Sequence, residues 1–98
     1  MKLKSYPHIA VDAGVCGGAP RVAGTRITVA LIAEAVEHLG MTPDDVVAMY
    51  PSLDLAKGHA ALTYSHDHVK AIEASIRHAK RVEARLRRRF PPEPRISS

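Results

Sequence analysis

Two prolines eight residues apart constrain this chain more than any other feature. Thr42-Pro43-Asp44-Asp45 supplies a capping hydroxyl, a proline at the first helical position and two carboxylates beside the positive end of the helix dipole, so a helix starts there. Pro51 lacks the N–H that would continue the ladder, and it disfavours helical backbone at Tyr50, so that helix is short. The chain then turns through Pro51-Ser52-Leu53, and Asp54 is placed to cap a further helix from Leu55 to about Tyr64, with Leu55 and Leu62 inward. Two short helices about such a turn are a helix-turn-helix candidate. Gly58 lies inside the second of them; it costs roughly 1 kcal/mol against alanine in a helix interior and leaves room for close helix contact.

The flanking segments extend this helical reading. Val29, Ile32, Val36 and Leu39 recur at helical steps after Thr28, which can cap the start, and Gly40 can close the end. A last helix is expected from near His66 or Asp67, with Val69, Ile72, Ile76, Ala79, Val82, Leu86 and Phe90 along one stripe and prolines at 91, 92 and 94 stopping it. Before Val29 the chain is rich in breakers, and Ile9-Ala10-Val11 and Arg21-Val22 read as two short strands or extended segments, with turns at Gly14, Gly17 and Gly18. The expected fold is mainly α, with a short N-terminal β-hairpin or extended segment, a helix-turn-helix core over residues 1–66, a long basic C-terminal helix over 67–90 and a disordered tail over 91–98.

Composition narrows the classes. With no Trp and one Phe, the core must come from Val, Leu, Ile and Ala, which suits packed helices. One cysteine, Cys16, excludes an internal disulfide framework and fits a reducing compartment, so a cytoplasmic location is expected; no apolar run is long enough for a membrane span. Residues 1–69 carry five basic and seven acidic side chains, a net −2, whereas residues 70–98 carry nine basic and three acidic, a net +6. An anionic partner would therefore meet the C-terminal region first.

The residues that carry chemistry are few. In a DNA-binding helix-turn-helix the second helix enters the major groove, which makes Lys57, His59 and Thr63 the candidate contacts there, with Ala56 and Ala60 beside them. This set lacks the Asn, Gln and Arg that make bidentate base contacts. Arg21 and Arg26 either join a nucleic-acid surface or anchor the Gly24-Thr25-Arg26 stretch structurally, Gly24 through backbone freedom and Arg26 through a carboxylate or helix C-terminal carbonyls. Arg81, Arg85, Arg87, Arg88, Arg89 and Phe90 form the candidate partner surface, whose alternatives are phosphate contact and a solvated helix end. His66-Asp67-His68 is the sharpest metal candidate, but the two histidines are spaced unlike a helix-borne ligand pair, and no metal or other cofactor is expected. Cys16 has no nucleophile signature around it, and nothing assembles a base, a nucleophile and an anion-stabilising group, so an enzyme is not expected.

Four stretches carry a family resemblance: Gly17-Gly18-Ala19-Pro20-Arg21-Val22-Ala23-Gly24-Thr25-Arg26-Ile27, Leu39-Gly40-Met41-Thr42-Pro43-Asp44-Asp45-Val46, Tyr50-Pro51-Ser52-Leu53 and Ala60-Ala61-Leu62-Thr63-Tyr64. Together they resemble the bacterial and archaeal proteins grouped as domain of unknown function 433. Ala19 departs from the lysine that many members carry, as does Lys57-Gly58-His59 from their usual third-helix stretch. The resemblance implies a homeodomain-like helix-turn-helix, a homodimer, and an antitoxin-like regulator that neutralises a cognate PIN-like nuclease toxin and binds operator DNA. The alternative is a non-catalytic interaction or dimerisation module that binds no DNA.

Overall fold

The computed structural model describes residues 1–89; Phe90 and the tail expected over 91–98 lie outside the described residues. The order is β1 (Lys2–Leu3), β2 (Tyr6–Ala10), a 3-10 turn (Cys16–Gly18), β3 (Arg21–Val22), α1 (Val29–Glu37), α2 (Pro43–Met49), α3 (Leu55–Asp67) and α4 (Val69–Arg89). The expectation of a mainly α chain with a small N-terminal β segment holds, with one strand more than expected. The sheet is antiparallel in the order β1-β2-β3, and Ile9 pairs with Val22 and Ala10 with Arg21.

Local chemistry sets the starts of α1, α2 and α3. The Thr28 hydroxyl accepts from the Leu31 N–H and caps α1. Thr42 and Asp45 form a reciprocal capping box: the Thr42 hydroxyl accepts from the Asp45 N–H and the Asp45 carboxylate accepts from the Thr42 N–H. The Thr42 N–H first, and the Thr42 hydroxyl beside the carboxylate second, hold the Asp45 carboxyl below the usual carboxylate range. The Asp54 carboxylate accepts from the Lys57 N–H and caps α3. Tyr50 leaves the helical region at φ −122 and ψ 95, as Pro51 requires.

α3 is the central post. It packs against α1, α2, β2, β3 and α4, burying Gly58, Ala61, Leu62 and Ser65. Around it close Ile9 and Val22 from the sheet, Val29, Ile32, Ala33 and Ala35 from α1, Val46 from α2 and Leu53 from the turn. Gly58 faces α2, where an added methyl would meet Val47 Cγ2 at 3.6 Å, an ordinary contact distance.

The structure departs from the sequence expectations in three places. Leu39 falls beyond α1 and is 65% exposed, while Ala33 and Ala35 take the inward places. Leu55 opens α3 on the solvent side, 45% exposed. α3 also runs on to Asp67, and the break before α4 sits at His68, with φ −132 and ψ 44. No glycine or proline marks that break. It is held by packing: the His68 ring stacks on Tyr64 at 4.1 Å, both meet Tyr6 edge-on, and the Tyr6 hydroxyl donates to Asp67 at 2.7 Å. The bond to Asp67 raises the Tyr6 pKa above the ordinary phenol value.

Candidate functional site: the basic arm

α4 is two things in sequence. Its first turns belong to the globule through Ile72 and Ile76, both nearly inaccessible, and through Glu73, whose carboxylate lies 3.1 Å from His38 Nε2 at the end of α1. From Arg77 to Arg89 every residue is exposed. At 1.5 Å per residue this is a rod of roughly 20 Å standing clear of the core.

The rod is patterned. Successive residues turn about 100° around a helix, so Ala79, Val82 and Leu86 continue the side on which Ile72 and Ile76 are buried. Val82 is 37% exposed and Leu86 52%. Lys80 and Arg87 border this stripe on one edge, and Glu83, in line with Ile72 and Ile76, lies between that edge and Leu86 and accepts from the Arg87 guanidinium one turn later. Arg89 borders it on the other edge, while Arg77, Arg81, Arg85 and Arg88 occupy the opposite side. The arginines that the sequence groups as one partner surface thus divide between two faces.

At its root the rod faces an open groove of about 620 Å3, bounded by Cys16, Gly17, Gly18, Ala19 and Pro20, by Thr28 and Ala30, and by Ala74, Ser75, His78 and Ala79 of α4. Three consecutive residues, Cys16, Gly17 and Gly18, are left-handed, with φ 52, 65 and 83. Two glycines make that shape accessible where most side chains would resist it. Cys16 is a half-buried free thiol whose Sγ lies 3.5 Å from the Arg26 carbonyl oxygen. Most of the groove lining is small and apolar, which suits the edge of a docked side chain better than a reacting group.

The other candidate residues sit elsewhere. Arg21 is structural: its Nε donates to the Thr25 carbonyl at 3.0 Å and its Nη1 lies 2.9 Å from Asp12 Oδ2. That second approach is a charge contact rather than an aligned hydrogen bond, because Nη1 is buried without a well-directed acceptor. Asp12 is held below the usual carboxylate range by the Met1 ammonium first and Arg21 second. Arg26, expected as the anchor of its stretch, is instead exposed and has no ion pair among the described residues; Arg21 has taken that role. Gly24 does supply a positive φ, +79, in the turn where Val22 N–H donates to the Ile27 carbonyl and the Thr25 hydroxyl donates to the Val22 carbonyl. In α3, His59 and Thr63 are exposed and Lys57 is half-buried. Alongside them on the solvent side stand Leu55, Ala56, His66 and Asp67, so that face bears a carboxylate and no arginine.

Histidines pair locally. His66 Nε2 lies 3.6 Å from Glu37, and His68 Nδ1 lies 2.9 Å from the Tyr64 carbonyl oxygen. Among the described residues no three His, Cys, Asp or Glu converge as metal ligands, and no helix is long and apolar enough to cross a membrane.

Comparison with known proteins agrees with the architecture. The sequence model of the family described as "Protein of unknown function (DUF433)" matches residues 9–65. A crystal structure of a DUF433 member protein from Anabaena variabilis superposes with a TM-score of 0.65 at 32% identity, over 70% of this chain and 67% of that one. No curated protein matches. The matched span runs from β2 into the last turn of α3 and leaves out the arm. The chain belongs to the DUF433 family.

Proposed function

We propose that this protein is a non-catalytic binding protein whose C-terminal arm seats on another protein through Ala79, Val82 and Leu86, in the manner of an antitoxin that covers a PIN-like nuclease. The observation carrying this reading is the stripe itself: it is buried at Ile72 and Ile76, then continues uncovered along the rod. Helices that present an apolar row at i, i+3 and i+7 are a common way to fill a partner's groove. Lys80, Arg87 and Arg89 at its margins favour a partner whose groove has an acidic rim. A nuclease with clustered carboxylates has that chemistry.

A second copy of the chain is the other occupant the stripe would accept. Pairing two arms, however, sets seven cations and one carboxylate between Arg77 and Arg89 against an identical set, and like charges across an interface oppose it. The reading of α3 as an operator-reading helix has weaker support, since only Lys57 is cationic there and it is half-buried.

The test is a calorimetric titration of the full chain into the purified product of the neighbouring reading frame. Saturable binding is expected, together with inhibition of that protein's nuclease activity. The variant V82Q/L86Q should bind at least roughly tenfold more weakly, as expected when central apolar anchors are truncated. Binding unaffected by that variant would overturn the role of the stripe, and a wild-type chain that sediments as a stable dimer through the same residues would favour the second copy.

A further inference from the structure

The side of the arm that the stripe does not use is as distinctive as the stripe. Arg77, Arg81, Arg85 and Arg88 follow one another at one-turn steps over a rise of roughly 16 Å, flanked by Ala84 on one side and His78 on the other, with Lys70 and Ala74 continuing the row toward the globule. Both carboxylates of α4 are engaged with other partners, Glu73 with His38 and Glu83 with Arg87. Those four arginines have no ion pair among the described residues. We propose that this row is a docking surface for the sugar-phosphate backbone of duplex DNA, separate from the helix-turn-helix and from the protein-binding stripe.

Three features select that partner. A protein interface has a charge-depleted core, and this face offers no large apolar anchor, so it is a poor fit to an acidic protein. Single strands are held by stacking on aromatic side chains, and residues 77–89 contain no Phe, Tyr or Trp. A lone helix about 10–12 Å wide matches the width of the major groove of B-form DNA, about 12 Å, whereas the major groove of an RNA helix is deep and narrow. Arginines that reach the phosphates rather than the base edges recognise duplex charge with little sequence preference. The proposal does not depend on the nuclease reading, because it uses a different face.

The experiment measures fluorescence anisotropy of a labelled mixed-sequence duplex of about 20 base pairs with the full chain, from about 50 to 200 mM KCl, the range over which phosphate contacts are most salt-sensitive. Wild type is compared with two variants of equal charge loss. R81Q/R85Q/R88Q strips the proposed row, while K80Q/R87Q/R89Q strips the stripe margins; Arg and Gln have similar helix propensity, and circular dichroism verifies the helix. Wild type should bind with a steep salt dependence. The first variant should bind roughly tenfold or more weakly, with its log–log salt slope shallower by about 3, near one unit for each phosphate that is no longer neutralised. The second should change by less than about threefold. Equal weakening in both variants, no duplex binding by wild type at the lowest salt, or stronger binding to phosphatidylserine vesicles than to duplex would each overturn the proposal.

Discussion

At the scale of single residues, backbone conformation decides what a substitution does. Gly58 lies in ordinary helical backbone against a neighbour that a methyl group would just touch, so Gly58→Ala should raise stability by up to about 1 kcal/mol in urea denaturation. Gly24, at φ +79, has open space around it and still should not accept alanine: Gly24→Ala should cost roughly 1–2 kcal/mol through backbone alone. Opposite signs at two glycines would tie the effect to φ rather than to room. The Thr42–Asp45 pair adds a pH test. The Asp45 carboxyl titrates below its unfolded value because it accepts from the Thr42 N–H, so its contribution is complete above the unfolded pKa and fades as pH falls through the folded one. Urea midpoints measured from neutral pH down through the carboxylate range should therefore fall less steeply for Asp45→Asn than for wild type. Thr42→Ala, removing the cap itself, should cost about 1 kcal/mol at neutral pH.

Among the elements, what is legible in the sequence is what short-range chemistry fixes. Thr28, Thr42-Pro43 and Asp54 announce three helix starts through caps that need only three following residues, and Pro51 announces the hinge for an equally local reason. β1 goes unannounced, because Lys2–Leu3 is a strand only by virtue of its pairing with β2. Local signals misplace the α3–α4 break because it depends on Tyr6, distant in sequence, packing on Tyr64 and His68. Periodicity finds the α4 stripe but cannot say where the globule stops covering it. The same blindness places Leu39 and Leu55 inside. It also merges five arginines into one cluster, when the helical turn distributes them over two sides. The division of α4 has a direct test: Ile76→Ala should cost roughly 2–5 kcal/mol, as for other buried aliphatic truncations, whereas ending the chain after Lys80 should leave the thermal midpoint nearly unchanged and remove only helical signal. A large drop in stability on truncation would show the rod to be part of the core.

For the whole molecule, the fold separates a slightly acidic body from a strongly basic arm and gives that arm two faces at once. The family match stops within α3, before the arm begins. The two faces lie on opposite sides of a helix about 10–12 Å across, so a partner seated on Val82 and Leu86 leaves Arg81, Arg85 and Arg88 open. Occupancy of one face should then barely alter affinity for the other, and a ternary assembly of chain, partner protein and duplex should form. Analytical ultracentrifugation of the three-component mixture, followed at the label on the duplex, should show a boundary faster than either binary complex. V82Q/L86Q should abolish only the partner's contribution to it, and R81Q/R85Q/R88Q only the duplex. If the partner protein instead displaces the duplex, the arm has one shared surface rather than two, and the assignment of its faces fails.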